Sequence, residues 1–375
     1  MIHRHLIVLI AAVAIAVAAC APAPPPATAP PEPADAVPWP ELVWANADVP
    51  AINAPVTEHL AAVAANDRGF VAIGFGDVVG RRDGVIVFSP DGRTWERVGA
   101  PAALREVDLV DVASGPGGFV AVGTALAEGQ PPAAVMFRSA DGRSWERIVP
   151  PGAVDTYAYS LGGGRPGYLA AGNSGDGGSA SWRSADGASW ERVPTDALGA
   201  GTGGIIDPRS EGDGWIALGS IGDAPAFLRS ADGIGWTATP IGPTANTYTD
   251  RLVAGRWGYL VQGGQARCGP FSSCPAEVVT WWSGDGASWT RLPAEDALEG
   301  GGVALAEAGD RGVIGVKGLS AWSSTTGWAW KPLPKPDVAG DAGWNAAVVR
   351  GDSIVAVGEQ YVQDGRSVAR IVYAE

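Results

Sequence analysis

Histidine is nearly absent from this 375-residue chain: His3 and His5 stand at its very start, leaving His59 alone in the body. Histidine-rich metal sites are thereby excluded, and a Ser–His–Asp triad would have one possible base. Basic residues are also in deficit, 26 against 40 acidic, for a net charge of −14. So acidic a chain does not suit a nucleic-acid groove or an anionic membrane surface. Only 3 of the 26 basic residues are lysine, which reads as a GC-rich genome rather than as function. Cysteines number 3 and methionines 2, and the one long apolar run is Leu6 to Ala19. What is abundant is glycine (54), proline (30) and tryptophan (16), with 46 % hydrophobic residues overall. Frequent turns and large aromatics predict short strands and a substantial core. No cofactor or metal is expected.

The apolar run follows Arg4, is too short to span a bilayer comfortably, and fits the hydrophobic region of a signal peptide. It ends Val17-Ala18-Ala19-Cys20, which resembles a bacterial lipobox. That resemblance implies cleavage before Cys20 and its lipidation, with acyl chains partitioning into the membrane. The stretch Ala21 to Pro33 is nearly all Ala and Pro and reads as an extended spacer. The expected organisation is a signal peptide over 1–19, a tether over 20–36 and a folded domain over 37–375. The expected address is extracytoplasmic, with membrane attachment through Cys20 only. Cys268 and Cys274 then remain, in Cys-Gly-Pro-Phe-Ser-Ser-Cys. In an oxidising compartment they are expected to close a small loop as a disulfide; a metal pair lacks further ligands.

The body repeats itself. A short apolar strand ending in Gly occurs as Phe70-Val-Ala-Ile-Gly74, Phe119-Val-Ala-Val-Gly123, Tyr168-Leu-Ala-Ala-Gly172 and Trp215-Ile-Ala-Leu-Gly219. It returns as Tyr259-Leu-Val-Gln-Gly263 and Ile354-Val-Ala-Val-Gly358, with a weaker copy from Val313 to Gly318. Each of the first six copies is followed by Ser-x-Asp-Gly-x-x-Trp or a variant of it. The aspartates are Asp91, Asp141, Asp186, Asp232 and Asp285, paired with Trp95, Trp145, Trp190, Trp236 and Trp289. The sixth box ends at Trp330 and carries Thr326 in place of Asp. Four strands per unit of some 45 residues is the size of a propeller blade.

These boxes resemble a shortened form of the Asp-box, or BNR repeat, of sialidase-like propellers. The resemblance spans the body and implies an all-β, seven-bladed β-propeller of four-stranded antiparallel blades. Within a box, Asp and Ser oxygens are expected to close the turn and Trp to pack between sheets. The seventh unit has only three strands, and Glu41-Leu-Val-Trp44 at the other end resembles a box tail without its box. Pairing it with the last blade would close the ring and protect an exposed edge.

In such propellers the boxes occupy one rim, and ligands use the opposite face. Candidates there are His59, Asp108, Asp155, Tyr157, Tyr248, Asp250, Trp344 and Asn345, near the starts of innermost strands. Asp77, Asp176, Asp223, Glu277 and Glu359 follow the recurrent Gly. The sialidase pattern itself is not met: no Phe/Tyr-Arg-Ile-Pro motif precedes the first box, and Arg138, Arg183 and Arg229 directly precede boxes. Gly162-Gly-Gly164-Arg-Pro-Gly167 fits a dinucleotide pattern literally, but it belongs to a hairpin rather than a helix start. The leading expectation is a membrane-tethered, non-catalytic binding or scaffold module for a protein or glycan. A carbohydrate-active enzyme, a glycoside hydrolase or lyase using two inner-face carboxylates, is the alternative. A photosystem assembly protein is similar in having seven Asp-box blades, which adds a membrane-complex assembly factor as a third reading.

Overall fold

The computed structural model describes residues 28–49, 57–78, 80–99, 101–194, 202–242, 247–266, 276–293, 303–334, 342–362 and 366–375. After an N-terminal strand β1 (Trp44–Asn46), blade one comprises β2 (Glu58–Asn66), β3 (Gly69–Val78), β4 (Arg81–Ser89) and β5 (Glu96–Arg97). A short helix (Pro101–Leu104) leads to blade two: β6 (Val107–Gly115), β7 (Gly118–Ala125), β8 (Ala133–Ser139) and β9 (Glu146–Ile148). Blade three is β10 (Thr156–Gly164), β11 (Gly167–Ser174), β12 (Ser179–Ser184) and β13 (Glu191–Arg192). Blade four is β14 (Thr202–Glu211), β15 (Gly214–Ile221), β16 (Ala224–Ser230) and β17 (Thr237–Pro240). Blade five is β18 (Thr247–Gly255), β19 (Gly258–Ala266), β20 (Ala276–Ser283) and β21 (Thr290–Arg291). Blade six is β22 (Ala304–Glu307), β23 (Val313–Lys317), β24 (Ser320–Ser324) and β25 (Lys331–Pro332). Blade seven adds β26 (Ala342–Arg350), β27 (Ser353–Tyr361) and β28 (Ser367–Ala374).

Seven four-stranded antiparallel sheets result, and the last has the order β1-β28-β27-β26. The expected closure is therefore present: Trp44 lies opposite Ala374, Ala45 opposite Tyr373 and Asn46 opposite Val372. The same segment then reaches across the seam to blade one. The Asp48 amide donates to the Arg93 carbonyl and its own carbonyl accepts from the Trp95 amide, both at 2.9 Å.

The recurrent apolar strand is apolar at every position because both faces of a blade are covered. In β3, Val71 and Ile73 pack toward blade two, while Phe70 and Ala72 pack toward blade seven. Each seam between neighbouring blades holds its own buried cluster. The innermost strands β2, β6, β10, β14, β18, β22 and β26 neighbour one another around a central channel.

Candidate functional site

Antiparallel order puts the first hairpin and the box of each blade on one rim. The loop between the second and third strands, and the connection to the next blade, lie on the other. The box rim is built for structure. In box two the Ser139 hydroxyl accepts from the Gly142 amide at 2.8 Å, and Asp141 Oδ1 accepts from the Arg143 and Ser144 amides, each at 2.8 Å. Trp145 Nε1 donates back to the Gly142 carbonyl at 3.0 Å. The backbone amides of Ser144 and Arg143 hold the Asp141 carboxyl down at a pKa of about 2. Asp186, Asp232 and Asp285 are depressed by the same pair of amides in their own boxes. In Asp91 burial opposes the shift, and its box hydrogen bonds win. Trp95 is fully buried in the seam with blade seven, whereas Trp145, Trp190, Trp236, Trp289 and Trp330 are half-buried.

The sixth box differs for a local reason. Thr326 is only 6 % exposed, whereas the five box aspartates are exposed, and Trp282 Nε1 donates to its carbonyl at 2.7 Å. A carboxylate there would be desolvated; the Thr326 hydroxyl instead accepts from the Trp328 amide at 3.3 Å. The arginines preceding the boxes also belong to this rim. Arg183 and Arg229 each donate to the carbonyl of the next blade's box aspartate, Asp232 at 3.1 Å and Asp285 at 3.0 Å. The glycine-rich run from Gly162 is the turn between β10 and β11, as its context demanded.

The opposite face is shaped by a bulge that recurs in the innermost strands. Register slips between Leu60 and Ala62, Leu109 and Asp111, Ala158 and Ser160, Thr249 and Arg251, and Trp344 and Ala346. The bulge drives a carbonyl against the neighbouring strand, and this is why the apolar repeats of blades one, two, three, five and seven end in Gly; Gly318 of blade six instead takes a left-handed backbone (φ 52°) with nothing packed against it. A Cβ on Gly74 would lie 1.8 Å from the His59 carbonyl oxygen, and one on Gly123 would lie 2.2 Å from that of Asp108. Gly172 and Gly263 face the Tyr157 and Tyr248 carbonyls in the same way. The repeat glycine and the candidate face residues are thus two sides of one feature.

His59 sits at the seam of blades one and seven. Its Nδ1 lies 3.3 Å from Glu359, its Nε2 faces Asn345 Nδ2 at 3.4 Å, and Phe75 stacks on its ring. Asn345 Nδ2 also donates to the Leu60 carbonyl at 2.8 Å. Arg82 lies over Phe75 and pairs with Asp108 at 2.5 Å and Asp77 at 3.5 Å. Glu277 pairs with Arg291, Asp176 accepts from Ser174, and Asp155 takes a left-handed backbone (φ 56°) beside Gly175. Asp223 is exposed in the turn between β15 and β16. Tyr157 and Tyr248 are exposed, Tyr248 by 53 %. Trp344, expected on this face, is a correction: it is 3 % exposed, packed in the seam of blades six and seven, with Nε1 donating to the Gly318 carbonyl. Cys20, Cys268 and Cys274 lie outside the described residues.

The bulged residues Ala61, Val110, Tyr159, Asp250 and Asn345 ring a channel cavity of about 230 Å³, continuous with one of about 300 Å³ toward the box rim. Sequence reasoning missed four charged residues in its wall, Asp111, Asp207, Arg209 and Arg251. Asp111 accepts from the Leu161 and Val112 amides at 2.8 Å each, and burial pushes its carboxyl up to about 6. Asp207, at φ 46°, accepts from the Leu252 amide and from Arg209, each at 2.6 Å. Burial also raises Asp250, and Arg251 reaches across to the Asn345 carbonyl at 3.3 Å. The available signal was a charge inside an otherwise apolar innermost strand. Asp111 and Asp207 tie blade two to three and four to five.

Exposed apolar side chains are distributed unevenly. Of eleven large ones among the described residues, nine lie on the face opposite the boxes. They are Leu126, Val149, Val154, Tyr157, Tyr159, Ile221, Tyr248, Leu319 and Tyr361. The box rim presents charged turns instead, such as the Arg165–Asp213 ion pair.

No protein-family model matches the chain, and no curated protein matches it. Solved structures do. A YCF48 structure with a bound D1 peptide aligns at 14 % identity and TM-score 0.53, over 90 % of this chain and 98 % of its own. A Penicillium chrysogenum α-L-arabinanase complexed with arabinobiose aligns at 12 % identity and TM-score 0.50, over the same shares. A Trypanosoma rangeli sialidase aligns at 11 % identity and TM-score 0.43, over 85 % of this chain and 53 % of its own. In fold, this chain is a seven-bladed β-propeller, as its seven four-stranded sheets show, and it shares its overall architecture with the first two of these structures.

Proposed function

We propose that the chain is a lipid-tethered, extracytoplasmic binding module that engages a protein partner through the face opposite its boxes. The observation that carries this reading is the gathering of nine exposed apolar side chains, four of them tyrosines, on that face alone. Exposed apolar groups in such concentration mark interaction surfaces, and tyrosine is enriched at protein interfaces. The face is also preorganised, because bulges and seam contacts hold its tyrosines on rigid strands rather than on free loops.

The enzyme reading has one observation in its favour: Asp111 and Asp250, both with raised pKa values, line one cavity. Against it, both Asp111 oxygens are already occupied by backbone amides. Fold neighbours of both kinds exist, one holding a peptide and one a disaccharide, so fold alone does not choose between them. The deciding experiment screens purified residues 37–375 on a glycan panel. No turnover is expected; turnover abolished by Asp250→Asn would overturn the binding reading.

A further inference from the structure

The chain segment ahead of β1 does not hang free of the domain. Lys331 Nζ pairs with Glu32 at 2.6 Å, and Arg256 Nη1 pairs with Asp35 at 2.6 Å. The Val37 amide donates to the Asp310 carbonyl at 3.3 Å. Arg311 donates to the Pro38 carbonyl at 3.3 Å and lies over the Trp39 ring. Arg256 also bonds the Asp310 carbonyl, so the clamp is cross-braced. Arg256 follows β18 and Arg311 follows β22, both in first-hairpin turns; Lys331 opens β25, just past the sixth box. All three cations therefore sit on the box rim, over blades five and six.

Glu32 lies only twelve residue steps beyond Cys20. Fully stretched, they reach no more than about 43 Å, at ~3.6 Å per residue. From this we infer that the anchored domain stands with its box rim toward the bilayer and its tyrosine face away from it. The inference rests on lipidation of Cys20 and on the binding reading above. Its consequence concerns the partner: a protein approaching from the aqueous side, not one embedded in the same bilayer.

The test uses the lipidated full-length chain in phospholipid vesicles carrying an acceptor dye among the lipids. A donor dye is placed at Asp67→Cys, in the box-rim turn of blade one, or at Asp223→Cys, in the opposite-face turn of blade four. The chain without an added cysteine controls for background labelling. With a reach of about 43 Å or less, energy transfer from position 67 is expected to exceed that from position 223 by about twofold or more. Combined Arg256→Ala and Lys331→Ala substitutions are expected to narrow the gap. Equal or reversed transfer overturns the orientation, and a gap unchanged in the double variant overturns the clamp as its cause. A chain that does not sediment with the vesicles overturns the tether itself. Orientation confirmed while partner binding fails would instead remove only the binding reading.

Discussion

Replacing Trp44 by Ala tests ring closure directly. Trp44 is 7 % exposed, and its ring shares a buried cluster with Ile354, Val372 and Ala374 of blade seven and with Ile314 of blade six. Truncating a buried Trp costs about 3–5 kcal/mol. Trp44→Phe should cost far less, since the Trp44 indole nitrogen has no hydrogen-bond partner to lose. Deleting residues 37–50 goes further. It removes the burial of Leu42 and Trp44 and backbone bonds from Val43 to Glu375, Ala47 to Ile371, and Asp48 to both Arg93 and Trp95. Two large apolar side chains and four hydrogen bonds amount to roughly 5–12 kcal/mol. That is comparable to the whole stability of a domain, about 5–15 kcal/mol. Urea unfolding followed by tryptophan fluorescence and by circular dichroism should therefore show a lower midpoint for Trp44→Ala. For the deletion the single cooperative transition should be lost. A Trp44→Ala chain within about 1 kcal/mol of the parent, or a deletion that unfolds at the parental midpoint, would refute the reasoning.

The box aspartates set the acid limb of stability. Asp141 falls from 3.8 to about 2 on folding, so its contribution is complete above pH 4 and drains away as pH drops toward 2. Asp91, Asp186, Asp232 and Asp285 act in the same sense, while Asp111, raised to about 6, removes some stability as pH climbs from 4 to 6. Acid titrations of the denaturation midpoint should show a steep limb between pH 4 and 2 that is shallower in Asp141→Ala. Thr326→Asp, which restores the box consensus, should destabilise by about 1–3 kcal/mol because it buries a carboxylate; a gain in the urea midpoint would contradict this. Gly123→Ala should cost more than a typical surface substitution, since its Cβ would meet the Asp108 carbonyl at 2.2 Å. Circular dichroism melts are the check.

Architecture was legible because the blades reuse three things: an apolar strand covered on both sides in all seven, a glycine where a bulge presses in for all but blade six, and a capped turn in the first six. All three recur in sequence at blade spacing. Closure was legible because a three-stranded seventh unit and an orphan strand at the other end complement each other. The face was legible less evenly. Tyr157 and Tyr248 were placed by their distance from the repeat, and the same rule misplaced Trp344. Strand alternation cannot reveal which side of a bulge an indole will take, and that depends on the Gly318 carbonyl of another blade. Asp111 and Asp207 escaped because their partners, Leu161 and Leu252, belong to neighbouring units, and Arg209 escaped with the Asp207 it pairs with. The clamp of Arg256, Arg311 and Lys331 on residues 32–38 joins positions more than two hundred residues apart, and no local pattern marks it.

The most direct test of the binding face is site-specific photo-crosslinking in intact cells, with a benzophenone side chain at Tyr157 or Tyr248 and, for comparison, at Arg68 on the box rim. Discrete protein adducts from the two tyrosine positions, with none from Arg68, are the expected result. Adducts from Arg68 alone would contradict the assignment of the face.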